Sequence, residues 1–306
     1  MAKRVFILLL VLLSLFALAC AEVPAVDRAG NAIALPQKIE RIVSLAPATT
    51  QILESLGMLE QVVGVDTQTP QYVAGAQALP QFDMMAPDAE QIALLQPDVV
   101  FTSGMSYLDG NPYAKLTELG ICVVQVPTAE SLQGIQDDIL FYGAVLGKEE
   151  DAKAIVLEMQ AQMEAVAKIG HTISEKKGVL FEISALPYLY SFGQGTFLDE
   201  MIRLIGANNV FGDQTSWISV TEESAILSNP DVILTSVNYL DDPVGEILSR
   251  QGWGEVKAIQ NQQVFAVDNA KSSLPNQYVV DALLQMAVAV YPEAFAAYAA
   301  APLHAD

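Results

Sequence analysis

The sequence predicts an α/β protein of two Rossmann-like lobes with mainly parallel sheets, joined by one long rigid helix. Three observations predict it. One segment occurs twice: Glu90 to Ser103 reads EQIALLQPDVVFTS and Glu223 to Ser236 reads ESAILSNPDVILTS, identical at seven of fourteen positions and offset by 133 residues. Each copy alternates apolar, strand-like runs with short amphipathic stretches, the pattern of parallel strands covered by helices. Between the copies lies Lys148 to Ile169, free of Gly and Pro and rich in strong helix formers.

The elements follow in chain order. Lys3 and Arg4, the apolar run Val5 to Leu13 and the small residues Ala17, Ala19 and Cys20 form the three-part pattern of an export signal. A membrane span needs ~20 apolar residues, and Ser14 interrupts this run. The sequence F-A-L-A-C resembles a bacterial lipoprotein box, in which Cys20 is lipidated and becomes the mature N-terminus. Cleavage after Ala17-Leu18-Ala19 is the alternative. Asp27 to Leu35 reads as a hairpin around Gly30-Asn31.

Arg41 to Gly57, RIVSLAPATTQILESLG, reads as strand, Pro-containing turn, amphipathic helix and a C-terminal Gly in the left-handed region. Val179 to Gly206 repeats that order with a longer loop. In both copies of the repeat a cap residue, Asp88 or Thr221, starts a short helix. Pro97 or Pro230 stops it. An apolar run, V-V-F or V-I-L, then suits a strand buried on both faces. The first copy carries an extra segment, roughly Gln68 to Met84. In the linker, Ala152, Ile155, Val156, Met159, Met163, Val166 and Ala167 recur at three- and four-residue steps. A helix of about 22 residues spans ~33 Å and is a stiff connector. Gln277 to Ala301 reads as a further long helix broken near Pro292. The chain thus divides into a signal at 1–20, an N-terminal lobe at 21–147, a connecting helix at 148–170 and a C-terminal lobe at 171–306.

Composition narrows the function. The 306 residues are 52% hydrophobic and 17% charged, with Lys+Arg 15 against Asp+Glu 36. The formal charge of −21 opposes binding to a phosphate backbone or adsorption to anionic lipid. Two Cys and two His cannot build a clustered metal site or a disulfide framework. Cys122, inside Ile121-Cys122-Val123-Val124, reads as a buried, inert thiol. The enzyme readings are weak: Gly193-Gln194-Gly195 opens GxGxxL, not a dinucleotide fingerprint, and no P-loop or nucleophile elbow occurs.

The segments RIVSLAPATTQILESLG, EQIALLQPDVV, GQGTFLDEMIRLIGANNVF and VVDALLQMAVAVYPEAF resemble the periplasmic-binding-protein family for cobalamin, haem and ferric siderophores, from Arg41 to Phe295. The resemblance implies an extracytoplasmic solute receptor of an ABC importer, not an enzyme. It implies a monomer that partners a permease dimer with its ATPase subunits, binds a chelate between the lobes and has no resident cofactor. The family's permease-docking Glu positions match Glu90 and Glu223 here. From the residues alone, each sits second in a short helix, where a carboxylate favours the macrodipole. Their repetition also offers two negative points to a pseudo-symmetric partner. The family often has Glu after A-P-x-x-T where this chain has Gln51, which suggests a lost local contact.

Ligands of parallel sheets lie beyond the carboxyl ends of the strands. Pro47, Ala48 and Thr49 follow the first strand, Tyr107 and Tyr239 follow the two repeat strands, and Tyr188 and Tyr190 follow the second lobe's first strand. Trp217 matches a position where cobalamin-binding relatives place a Trp against the corrin, whereas Trp253 reads as packing. Flat aromatic faces suit a macrocycle. After the signal only Arg28, Arg41, Arg203 and Arg250 remain, none in the aromatic loops, which favours a neutral or cationic corrinoid over an anionic siderophore. Tyr-ligated haem stays open, as does a non-transport surface sensor or adhesion module of the same fold.

Overall fold

The computed structural model describes residues 23–107 and 110–298. The expected export signal with Cys20, and the end of the chain from 299 with His304, lie outside the described residues.

The first lobe runs β1 (Ile42–Leu45), α1 (Pro47–Ser55), β2 (Val62–Asp66), β3 (Gln81–Phe82), α2 (Ala89–Leu94), β4 (Val99–Ser103), α3 (Ala114–Glu118), β5 (Cys122–Val126) and α4 (Leu132–Leu146). Its strands form one parallel sheet, ordered β3-β2-β1-β4-β5. The connecting helix α5 (Glu149–Gly170) has 22 residues. The second lobe runs β6 (Gly178–Glu182), β7 (Tyr190–Phe192), α6 (Phe197–Leu204), β8 (Asn208–Asn209), β9 (Trp217–Ser219), α7 (Glu222–Ser228), β10 (Val232–Thr235), α8 (Pro243–Leu248), α9 (Lys257–Gln260), β11 (Val264–Ala266), α10 (Asn269–Ser273) and α11 (Val279–Val290). Its parallel sheet is ordered β11-β10-β6-β8, and β7 and β9 form a separate antiparallel ribbon.

The sequence repeat is a structural repeat. Order β8-β6-β10-β11 in the second lobe reproduces β2-β1-β4-β5 in the first. Ile42 pairs with Val99 through to Leu45 with Thr102, as Val179 pairs with Val232 through to Glu182 with Thr235. The unmatched strand β3 falls inside the expected extra segment.

The local causes repeat too. Asp88 accepts the Glu90 and Gln91 N–H groups, and Thr221 accepts that of Ser224, so each short helix has its cap. Each chain then turns through a left-handed residue, Gln96 (φ 48°) or Asn229 (φ 43°), before its Pro. The Asp after that Pro staples the entering strand: Asp98 accepts from the Glu40 and Arg41 N–H groups, and Asp231 from that of Gly178. Gly57 (φ 69°) and Gly206 (φ 83°) leave α1 and α6 in the conformation that a Cβ disfavours.

Each sheet is covered on both faces. Val99 and Phe101 face one core and Val100 another, while Val179 and Phe181 face the first of these and Leu180 a third. The first core is continuous between the lobes: it runs from Ile42 and Val99 through Val156, Met159 and Val166 of α5 to Leu283 of α11.

One expectation holds at the end of the chain, and one changes. α11 stops at Val290 because Pro292 restricts the residue before it. A 3-10 turn, Ala296–Tyr298, follows the break. Cys122 is half-buried, not buried, because β5 is the sheet edge; burial still pushes its thiol up, away from the reactive thiolate. The N-terminal hairpin forms as expected, with a Val26–Ala32 bridge and Gly30 at φ 87°.

Candidate functional site

Side-chain hydrogen bonds join the two lobes through elements that follow sheet strands. α1 follows β1, and the segment before α11 follows β11. Asn276 Nδ2 donates to Gln51 Oε1 at 2.6 Å, and Gln277 Nε2 to Ser55 Oγ at 2.8 Å. α4 follows β5, and its first N–H, at Leu132, donates to Glu200 Oε2 of α6 at 2.7 Å. Glu200 thus caps a helix of the other lobe, and Ser131 satisfies the next free donor at Gly134.

In the first lobe, Pro47 and Ala48 are half-buried at the start of α1. The cap position, Ala46, has no side-chain acceptor and Pro47 carries no N–H, so the Ala48 and Thr49 N–H groups have no side-chain cap. Thr49 is 5% exposed, and its hydroxyl is engaged with Tyr142 Oη at 2.7 Å, so it faces into the lobe. Tyr107 is half-buried. Its hydroxyl lies 3.2 Å from Thr102 Oγ1, its ring packs on Tyr113 at 5.6 Å, and burial pushes its phenol up.

The second lobe supplies the open rings. Tyr190 on β7 and Trp217 on β9 lie on one face of the ribbon, since Tyr190 pairs with Ser219 and Phe192 with Trp217. Trp217 is anchored edge-on against Phe192 and Phe197 at 6.0 and 6.1 Å, with part of its indole still open. Tyr239 Oη accepts the Ala185 N–H at 2.8 Å, which ties its loop to the one carrying Tyr188. Tyr188 is 82% exposed and Tyr239 63%. Trp253, by contrast, is fully buried, donates to Glu222 Oε1 at 2.9 Å and stacks on the Arg250 guanidinium.

Glu90 and Glu223 are both exposed, each second in its helix, and each carboxylate is free of ion pairs among the described residues.

Sequence reasoning missed a groove of about 860 Å³ between the lobes, lined by residues of both and of the connecting helix. It lies between α1, the Pro70–Gln77 stretch, α5 and the 268–280 segment, with Gln51, Glu54, Tyr72, Met159, Lys271 and Gln277 on its walls. Burial raises the Glu54 carboxyl. None of the ring-bearing residues above lines it. Among the described residues there is no cluster of three His, Cys, Asp or Glu able to hold a metal, and no helix is long and apolar enough to cross a membrane.

The sequence matches the family model described as periplasmic binding protein over residues 42–270. The chain belongs to the periplasmic binding protein family. Its members are binding components of transport, so the chain is not an enzyme. It is 30% identical to an uncharacterised ABC transporter substrate-binding lipoprotein of Bacillus subtilis, over 88% of this chain and 85% of the relative. It is 26% identical to a cobalamin-binding protein of Halobacterium salinarum, over 87% of this chain and 73% of that one. Among solved structures, a possible iron-binding, periplasmic solute-binding protein of Staphylococcus epidermidis is 28% identical with a TM-score of 0.74, covering 83% of this chain and 100% of that one.

Proposed function

We propose that this protein is the extracytoplasmic solute-binding component of an ABC importer, and that its cargo is a metal chelate of the corrinoid class. The chelate sits between the lobes, on Trp217, Tyr190, Tyr188 and Tyr239 of one and Tyr107 with the uncapped start of α1 of the other. Glu90 and Glu223 present the loaded receptor to the permease dimer and its ATPase subunits. Lipidation at Cys20 would hold the monomer at the membrane, and the chelate is cargo, with no resident cofactor. Similarity to a lipoprotein and to a cobalamin-binding protein supports this reading.

The observation that carries the ligand class is the state of the arginines. Arg28 pairs with Asp138, Arg203 with Asp199 and Arg250 with Glu182 and Glu246, while Arg41 donates to the Leu95 carbonyl. Every Arg beyond the signal is therefore committed within the protein. A siderophore carrying several negative groups would need free ones. A corrinoid instead needs flat apolar faces, which the rings provide at little entropic cost.

A haem reading is favoured by one feature, the exposed tyrosines of the second lobe. A single experiment separates the two. The purified protein is titrated with cyanocobalamin, haemin and a ferric catecholate siderophore while tryptophan emission is followed. There are two Trp, and only Trp217 is open, so cobalamin should quench the emission saturably in wild type and Trp253→Phe but not in Trp217→Phe. Saturation by haemin or the siderophore alone would reassign the cargo. No response to any of the three would remove the chelate reading.

A further inference from the structure

The seven identities between the two repeat copies have different reasons. Pro97 and Pro230 end the helices, Asp98 and Asp231 staple the neighbouring strand, and Val99, Val232, Thr102 and Thr235 are fully buried in the sheets. Ser103 ends β4 and Ser236 directly follows β10. Two pairs remain that the fold itself does not use: Glu90 with Glu223, and Leu94 with Leu227.

Leu94 is 73% exposed and Leu227 83%, the two most exposed large aliphatic side chains among the described residues. A single exposed Leu is ordinary. Two at matching places in a duplicated unit, each with its side chain in water, are not scatter. Each lies four residues after its Glu on the same short helix, so carboxylate and isobutyl group share one helix face, one turn apart. The other large side chain of each helix turns away: Ile92 is buried, and Ile226 packs against the second lobe's outer core.

We propose that each lobe docks on the permease through a two-point contact, Glu90 with Leu94 on one side and Glu223 with Leu227 on the other. The occupant is a two-fold membrane partner whose two equal pockets each pair a basic group with an apolar wall. Both lobes offer the same acidic and apolar pair, so a partner built from two like subunits meets the same chemistry twice. The carboxylates govern encounter and register, because exposed charge acts at long range. The leucines hold the complex, because desolvating them yields affinity only on close contact. This rests on the reading of Glu90 and Glu223 as the docking carboxylates.

The test compares Leu94→Ala, Leu227→Ala, their double variant and Glu90→Arg/Glu223→Arg. Each is measured for binding to the host's permease–ATPase complex in nanodiscs, with thermal melting and cobalamin titration as controls. Both leucines are in water, so their truncation should leave melting and solute response unchanged. Each single Leu variant should weaken docking by about tenfold and the double by about a hundredfold, mostly through faster dissociation, since distant sites add. Wild-type affinity in the Leu double variant, with binding lost in the Glu variant, would overturn the role of the leucines and leave the receptor reading intact. Wild-type affinity in both double variants would overturn the receptor's docking surface altogether.

Discussion

Gln51 and Asn276, 225 residues apart in sequence, meet side chain to side chain in a buried hydrogen bond of 2.6 Å that joins the two lobes. The departure from Glu at position 51 suggested a lost local contact; the structure shows a contact made. Gln51 is 8% exposed and Asn276 fully buried. A neutral amide is far cheaper to bury there than a carboxylate. Its own main-chain oxygen accepts a second bond, from Gln277 Nε2 at 3.3 Å.

Gln51→Ala should therefore strand the Asn276 amide without an acceptor and cost about 1–3 kcal/mol of stability. Asn276→Ala should cost a similar amount. Since the two residues share one bond, the double variant should lose less than the two single losses combined. Urea unfolding of the four proteins measures this. Strict additivity would show that the bond is not the source of the loss.

Arg250 and Glu182 form a second decisive pair, 3% and 1% exposed, with bonds of 2.7 and 2.9 Å, and Glu246 closes on the same guanidinium at 2.6 Å. Burial pushes the Glu182 carboxyl up, and Arg250 opposes that. Removing the guanidinium would leave a carboxylate buried at the end of β6 with no counter-charge. Arg250→Ala should cost about 3–5 kcal/mol. Arg250→Lys should recover part of this, because one ammonium cannot reproduce the fork. Equal melting temperatures for wild type and Arg250→Ala would refute the account.

Much of this architecture was legible before any coordinates. The repeat, its caps, its prolines and the 22-residue linker are local patterns, and local patterns are what sequence carries best. The extra strand β3 was legible as an excess of residues in one copy. The engagement of Thr49 was not, because its partner Tyr142 lies 93 residues on. The groove between the lobes was also hidden: Gln51, Gln162 and Gln277 come from three separate parts of the chain, and nothing near any of them hints at the others. The break at the end of α11 was legible, because Pro292 bars the helix from continuing through an otherwise alanine-rich stretch.

Asp138 on α4 supplies a pH dependence. Burial raises its carboxyl to about 6, and the Arg28 bond at 2.6 Å only partly offsets this. A carboxyl whose folded pKa lies above its unfolded value binds its proton more tightly when folded. Its stabilising contribution is therefore fully present below the unfolded pKa of 3.8 and is lost as pH rises through about 6. Wild type should lose on the order of 1–3 kcal/mol more than Asp138→Asn between pH 4 and pH 7. Glu182 and Asp66 are also raised by burial, so the difference between the two proteins, not either curve alone, isolates Asp138. Parallel melting curves across that range would remove Asp138 as the source.

The connecting helix predicts how far the lobes move. α5 lies antiparallel to α4, packs on α6 and α11, and contributes Val156, Met159 and Val166 to the shared core. At its end Gly170 meets Gly206 backbone to backbone, where a Cβ on either would collide with the other chain segment. A connector fixed along its length and pinned at its end cannot act as a loose hinge, and the Gln51–Asn276 and Leu132–Glu200 bonds tie the two lobes directly to each other. Cobalamin saturation should therefore leave the small-angle scattering profile of wild type almost unchanged. Ala161→Pro, on the exposed side of α5, breaks the helix at a cost of about 3 kcal/mol and should broaden the distance distribution. Ligand-driven compaction in wild type as large as the change that substitution produces would show that α5 bends in use, and the rigid-connector account would fall.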